Sequence, residues 1–267
     1  MQTLGEIRSI LAERGLHPKK ALGQNFLHDQ NQLRRLLEAS AVGDSDLVLE
    51  VGPGTGTLTE ALLDRGCSVV ACELDRDLAA ILEERLGDRI TLVRTDCLED
   101  QRTLSVELEE ALSGRTFTLV SNLPYGAASP LMSLLASRKD CTAQHVTIQR
   151  EVADRLLAVP GTKAYGSLTI FIGALASVRR IGILPPGCFW PPPKVDSAMV
   201  SIIPHQRPMV EDAADFGAFL HRLFSRRRKQ LGTIIGRDAG FPKGIEPTMR
   251  PEELSIEAMV ELYELNN

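Results

Sequence analysis

The chain has 267 residues, 43% of them hydrophobic, enough to bury a full core in one large domain with a smaller appendage. No apolar run approaches the roughly 18 residues of a membrane span, and the opening MQTLGEIRSILAERG carries acids and arginines where a signal peptide would be apolar, so a soluble, cytoplasmic protein is expected. A formal net charge of -5 excludes a uniformly basic nucleic-acid binder: such a partner would need a local basic patch, and Arg226, Arg227, Arg228 and Lys229 supply one. Cys67, Cys72, Cys97, Cys141 and Cys188 are odd in number, scattered and never spaced C-x-x-C, which reads as reduced structural thiols with no metal.

In chain order, Thr3 and Glu6 stand at capping-box spacing, and Leu4, Ile7, Ile10 and Leu11 recur at helical intervals up to Gly15, predicting a leading helix. Residues 17–30, HPKKALGQNFLHDQ, are polar and basic with Phe26 and Leu27 embedded; they read either as a functional segment or as a loop whose two apolar residues plug the core. Leu33, Leu36 and Leu37 predict a second helix ending near Gly43.

Residues 46–63, DLVLEVGPGTGTLTEALL, read as strand, tight turn and helix in immediate succession. Leu47, Val48, Leu49 and Val51 form the short apolar run of a strand buried on both faces of a parallel sheet, and from Thr57 the spacing turns helical. Gly52, Gly54 and Gly56 remove every Cβ where the backbone turns, and the helix start beyond them offers unpaired N–H groups. A dinucleotide fingerprint needs its third glycine at 57, where Thr57 stands, so the pattern tilts away from NAD. Glu50 places a negative charge that would repel a pyrophosphate and attract a cationic amine such as that of S-adenosylmethionine. Taken alone, the same glycines also suit a plain strand–helix turn.

Strands at 68–72, 90–93 and 117–120 then alternate with helices at 76–86, 104–112 and 130–136, the series of a parallel doubly wound sheet whose ligands bind at the strands' carboxyl ends. Those ends carry Glu73, Asp96 and Asn122. Each alone suits a cap or a turn, but Glu73 also lies about 20 residues beyond the glycines, where a carboxylate accepts ribose hydroxyls. A fifth strand is expected at 146–148 and a helix at 151–157; 168–174 is apolar without a decisive period. Residues 177–184 and 198–203 suggest a hairpin pair of antiparallel strands, joined by a proline-rich loop that holds Phe189 and Trp190 outward. Beyond His205 only helical patterns remain, at 216–224 and 256–265, placing a domain boundary near 207: residues 1–207 form a catalytic domain and 208–267 a small helical one.

Asn122-Leu123-Pro124-Tyr125 after a strand carries the chemistry. An exocyclic base amine is a poor nucleophile because its lone pair is delocalised into the ring; fixing its two N–H bonds aims that lone pair. The Asn122 side-chain oxygen and the Leu123 carbonyl, held extended by Pro124, are two acceptors for those hydrogens, with Tyr125 as the face on which a flipped base stacks and Phe189 as a candidate for the other face. The competing reading is a turn with Tyr125 packed inside.

The chain resembles the ribosomal RNA adenine N6,N6-dimethyltransferases of the kasugamycin-resistance type, and it does so end to end: LGQNFL at 22–27, EVGPGTGTLT at 50–59, ELD at 73–75, NLPY at 122–125, QREVADRL at 149–156, YGSL at 165–168 and PPPKVDSA at 191–198. The resemblance implies a Rossmann-like methyltransferase sheet, mostly parallel with an antiparallel edge, S-adenosylmethionine as cofactor and a helical RNA-binding domain. It implies that Asn25 and Leu27 reach over the cofactor, that Gly52 lies against its methionine part, that Glu73 holds the ribose and Asp96 the adenine amine, and that Asn122 touches both cofactor and target. It further implies two adjacent adenosines near the 3′ end of small-subunit (16S-type) rRNA, each methylated twice, on an immature 30S particle during ribosome biogenesis. A monomer with no metal and no membrane partner is expected. The basic segment departs from the family's F-x-x-R-R-K-T-L-R at Gln230 and Gly232. Two alternatives remain at this point: the large-subunit (23S) methyltransferase of the macrolide-resistance type, and an rRNA-binding assembly factor without catalysis.

Overall fold

The computed structural model describes residues 1–100 and 102–267. Helix α1 (Leu4–Ala12) starts with the expected capping box, in which Thr3 N donates to Glu6 Oε2 at 2.6 Å and Glu6 N to Thr3 Oγ1 at 3.3 Å. Then come β1 (Phe26–Leu27), α2 (Gln30–Ser40), β2 (Leu47–Val51), α3 (Thr57–Leu63), β3 (Ser68–Cys72), α4 (Arg76–Leu86), β4 (Ile90–Val93), α5 (Val106–Leu112), β5 (Phe117–Asn122) and α6 (Ala128–Ala136). The chain continues through β6 (Cys141–Gln149), α7 (Arg150–Leu156), α8 (Ser167–Leu175), β7 (Ala176–Leu184), β8 (Phe189–Trp190), β9 (Ser197–Pro204), α9 (Ala213–Phe224), α10 (Leu231–Ile234) and α11 (Ile256–Glu264).

Seven strands form one sheet in the order β4-β3-β2-β5-β6-β9-β7. The pairs β4–β3, β3–β2, β2–β5 and β5–β6 are parallel, and β9 joins β6 antiparallel, with Val146 opposite Val200. The strand order reverses between β2 and β5, which leaves a crevice beyond their carboxyl ends. Val48, Leu49, Val70, Ala71, Leu119 and Val120 are all buried, as expected of central strands covered on both faces.

A second, two-stranded sheet pairs β1 with β8 antiparallel, Phe26 opposite Trp190 and Leu27 opposite Phe189. This corrects the outward placement of the proline-loop aromatics. Phe189 is 3% exposed and belongs to the core with Leu27, Leu184 and Met199, while Trp190 stacks on Phe26 with ring centroids 6.2 Å apart. Burying a whole aromatic side chain outweighs the stiffness of the prolines that follow it.

By contacts the chain forms two compact units, Met1–Arg150 with Arg179–Ile202, and Glu151–Val178 with Ile203–Asn267. Residues 151–178, which the sequence reading set in the first domain, are therefore in the second unit. The reason lies in α8, whose Ile170, Ile172, Ala174 and Leu175 are buried and which packs with α9 and α11. Gly173 of α8 faces Ile256 of α11, where a Cβ would displace the Ile256 Cδ1 methyl. In the same unit Tyr165 is buried and its hydroxyl donates to Leu254 O at 2.8 Å, while Tyr263 meets the edges of Phe216 and Phe219. All five cysteines are free and buried, and among the described residues no helix is long and apolar enough to cross a membrane.

Candidate active site

The crevice at the carboxyl ends of β2, β3, β4 and β5 is a cavity of about 700 Å³ in the first unit. Asn25, Leu27, Gly52, Glu73, Asp96, Asn122, Leu123 and Tyr125 all line it; Phe189 does not.

Its floor is the glycine turn. Gly52, Gly54 and Gly56 have φ of 70°, 64° and 91°, left-handed values that favour glycine. Space makes the same demand. A Cβ on Gly52 would meet Pro124 Cγ at 2.9 Å, and one on Gly54 would meet the Phe26 ring at 3.0 Å, so backbone lies bare between two walls. Glu73 closes β3 beside it: Oε2 accepts from Gly54 N at 3.1 Å and Oε1 from Asp75 N at 2.9 Å. Burial pushes its carboxyl above the ordinary range, against these two amides. Each oxygen keeps capacity for a further donor, as a ribose diol requires.

Glu50 differs from its sequence reading. It lines the cavity but is 2% exposed, accepts from Thr59 Oγ1 at 2.6 Å, and burial pushes its carboxyl up to about 8. Burial therefore disfavours the charged form on which the electrostatic reading of Glu50 depends. The selectivity expected of Glu50 falls instead to the cradle geometry and Glu73.

Above the turn runs the segment before β1, tied down by ion pairs and amide bonds. Lys19 Nζ reaches Asp75 and Asp77, both at 2.7 Å, and Gln24 Nε2 donates to Asp75 Oδ2 at 2.6 Å. Against the cost of burial, these donors hold the Asp75 carboxyl below its usual value. Asn25 Nδ2 donates to Gly23 O at 2.9 Å, while its own backbone carbonyl accepts from Asn122 Nδ2 at 3.1 Å. That bond joins the two motifs across 97 residues of sequence and orients the Asn122 amide, leaving Oδ1 as its remaining acceptor. Leu123 N donates to Thr147 O at 3.1 Å and Pro124 O accepts from Ala127 N at 3.1 Å, which fixes the peptide between them. Tyr125 is half-buried, its hydroxyl 3.2 Å from Ser197 Oγ. Asp96 is exposed at the rim, with one oxygen accepting from Leu98 N at 3.1 Å.

The sequence reading missed several residues. Leu74 lines the cavity next to Glu73 with 52% of its surface exposed, an apolar face of the kind a purine covers. Thr55, Thr57 and Lys20 also line it. Gln2, to which no sequence pattern points, is buried against the glycine turn.

In the second unit, the basic segment is a turn after α9. Arg226, Arg228 and Lys229 are exposed, whereas Arg227 is half-buried and paired with Glu252, Nε to Oε2 at 2.6 Å. Gly232 also has a packing reason: its N donates to Pro247 O at 2.8 Å, and a Cβ would come within 2.9 Å of Pro247 Cβ.

A family model described as ribosomal RNA adenine dimethylase matches residues 15–267. Proteins named ribosomal RNA small subunit methyltransferase A are similar along nearly the whole chain. The one from Rhodococcus erythropolis is 38% identical over 278 residues, covering 96% of this chain and 91% of the relative. That from Mycobacterium tuberculosis is 39% identical over 282 residues, covering 96% and 86%. Among solved structures, a dimethyladenosine transferase from Plasmodium falciparum superposes with a TM-score of 0.66 at 28% identity, covering 80% of this chain and 75% of that one. The 23S rRNA methyltransferase ErmE superposes with a TM-score of 0.67 over 91% of this chain and 99% of its own, and at 24% identity it speaks to the fold alone. With its glycine cradle, Glu73 and the NLPY amide gathered in one crevice, and a family match that runs to its last residue, the chain belongs to the ribosomal RNA adenine dimethylase family.

Proposed function

We propose that this protein is an enzyme that uses S-adenosylmethionine to dimethylate the N6 amines of two adjacent adenosines near the 3′ end of small-subunit (16S-type) rRNA. It does so in the cytoplasm, as a monomer on the immature 30S particle, during ribosome assembly. The observation that carries this reading is the Asn122–Asn25 bond, which fixes an amide acceptor at the border between the glycine cradle and the Tyr125 face.

The residues present fit the cofactor. Bare backbone at Gly52 and Gly54 suits the methionine part, Glu73 the ribose, Leu74 a purine face and Asp96 its exocyclic amine. When bound, S-adenosylmethionine supplies a methyl group on a positively charged sulfur, a leaving group that needs no acid. The chain supplies the rest. Asn122 Oδ1 and the Leu123 carbonyl accept the two N6 hydrogens of a flipped adenine, drawing the nitrogen toward tetrahedral geometry and aiming its lone pair. Tyr125 stacks the base. With a methyl group added, N6 would be cationic and its N–H acidic, so its proton would leave to water and the chain needs no strong base there. The second methylation repeats the step with one hydrogen left to hold. Arg226, Arg228 and Lys229 contact RNA phosphates; Arg227 serves the fold through Glu252.

The relatives named for the small subunit favour that substrate over the large-subunit alternative, and intact Glu73, Asp96 and Asn122 favour an enzyme over an idle assembly factor. Purified protein with S-adenosylmethionine should convert adenosine to N6,N6-dimethyladenosine in unmethylated 30S particles, read by nucleoside mass spectrometry. Dimethyladenosine in 23S rRNA only, or in neither, would overturn the assignment.

A further inference from the structure

We infer that Gln2, delivered by helix α1, is a positioning residue for the cofactor turn. Its side chain is 3% exposed and uses its whole hydrogen-bonding capacity. Nε2 donates to Thr55 O at 2.8 Å and to Glu60 Oε1 at 2.9 Å. Oε1 accepts from Thr55 Oγ1 at 2.7 Å and Thr57 Oγ1 at 3.0 Å. Thr55 sits between Gly54 and Gly56, and both threonines line the cavity. One amide therefore grips the centre of the turn by main chain and side chain, and its far edge by a hydroxyl.

The turn needs a grip of this kind. Its three glycines have left-handed φ, and glycine loses more freedom on ordering than any other residue. A turn that orders only on binding weakens the cofactor by that cost, whereas a turn already held does not. Helix α1, which brings Gln2 to the turn, is anchored by its own apolar packing: Ile7 and Leu11 lie in a small core with Leu78 and Ile81. A segment needed only to cover apolar surface would present an apolar residue at position 2, because burying a glutamine is tolerated only with every polar atom paired. The four partners are the turn itself and the first turn of α3. The family match begins at residue 15, beyond this brace.

The inference rests on the reading of the glycine turn as the cofactor cradle, and the test separates the two. Calorimetry with S-adenosylmethionine on the full chain compares Gln2→Met, Gln2→Ala, Ile7→Ala and Gly52→Ala, with turnover measured on 30S particles. Both Gln2 variants should weaken cofactor binding roughly tenfold and raise the cofactor KM, leaving kcat and the KM for 30S unchanged. Ile7→Ala should lower Tm at least as much as Gln2→Met yet bind cofactor within about twofold of wild type. Gly52→Ala should bind poorly. Wild-type affinity in Gln2→Met beside a weakened Gly52→Ala would overturn the positioning role alone, and so would an Ile7→Ala loss as large as that of Gln2→Met. Wild-type affinity in Gly52→Ala would overturn the cradle reading, and the brace with it.

Discussion

On the cofactor side of the cavity, formed by β2, β3 and the glycine turn, the carboxylates are buried and already bonded within the fold. Glu73 takes two backbone amides, Glu50 a threonine hydroxyl, and Asp75 a lysine and a glutamine. On the target side, after β5, Asn122 and Tyr125 are half-buried and each side chain makes one bond, at 3.1 and 3.2 Å. The difference matches what each side has to do. A cofactor of fixed shape gains from a preformed site, while a base that arrives flipped and leaves carrying methyl groups needs acceptors that remain open. Substitutions on the first side should therefore act on affinity, and those on the second on rate.

The largest effect expected is on the cofactor side. Glu73→Ala removes the two charge-assisted bonds proposed to the ribose and should weaken S-adenosylmethionine by about 10² to 10⁴, at roughly 1.5 to 3 kcal/mol per bond. Calorimetry reads it, and wild-type affinity would remove Glu73 from the ribose. Next is Tyr125→Ala, which should lose about 1 to 3 kcal/mol of base stacking with the cofactor Kd unchanged. Tyr125→Phe should stay within about threefold of wild type, because only the Ser197 bond is lost.

Glu50→Gln should have the smallest effect on activity at pH 7, since it replaces a carboxyl already mostly neutral there. Its signature lies in stability against pH. The folded value of about 8 lies above the ordinary 4.5, so between these the native state binds the extra proton. The group's contribution is complete below pH 4.5 and is lost as pH rises toward 8. Wild type should therefore fall behind Glu50→Gln as pH rises through that window, by on the order of 4 kcal/mol at its upper end. Parallel denaturation curves from pH 5 to 9 would show instead that Glu50 stays charged.

The same contrast explains what the sequence disclosed. The alternating strands and helices, the three glycines and the acids at strand ends are local patterns, and they locate the sheet and one side of the cavity. The NLPY residues were legible because the chemistry of an amine constrains their order. Pairings between distant short segments were not. Phe26 and Leu27 meet Trp190 and Phe189 in strands of two residues, too short for any period, so both ends read as loop. Residues 168–174 had no decisive period because α8 is apolar on the faces it turns to both α9 and α11. Glu50 was legible as a residue but not as a charge, since burial decides its protonation. Gln2 stands in no sequence pattern; only the folded turn supplies its four partners.

In the proposed mechanism Asn122 shapes the amine rather than merely holding the site together. Single-turnover methylation of saturating, unmethylated 30S particles by Asn122→Ala, with cofactor and particle affinities measured in parallel, separates these two roles. The expected result is a rate lower by about 10² to 10³ with the fold and particle binding retained, and Asn122→Asp, which keeps the acceptor but adds a charge that favours the sulfonium ground state, falling between the two. An alanine variant that transfers methyl groups as fast as wild type would remove Asn122 from the mechanism.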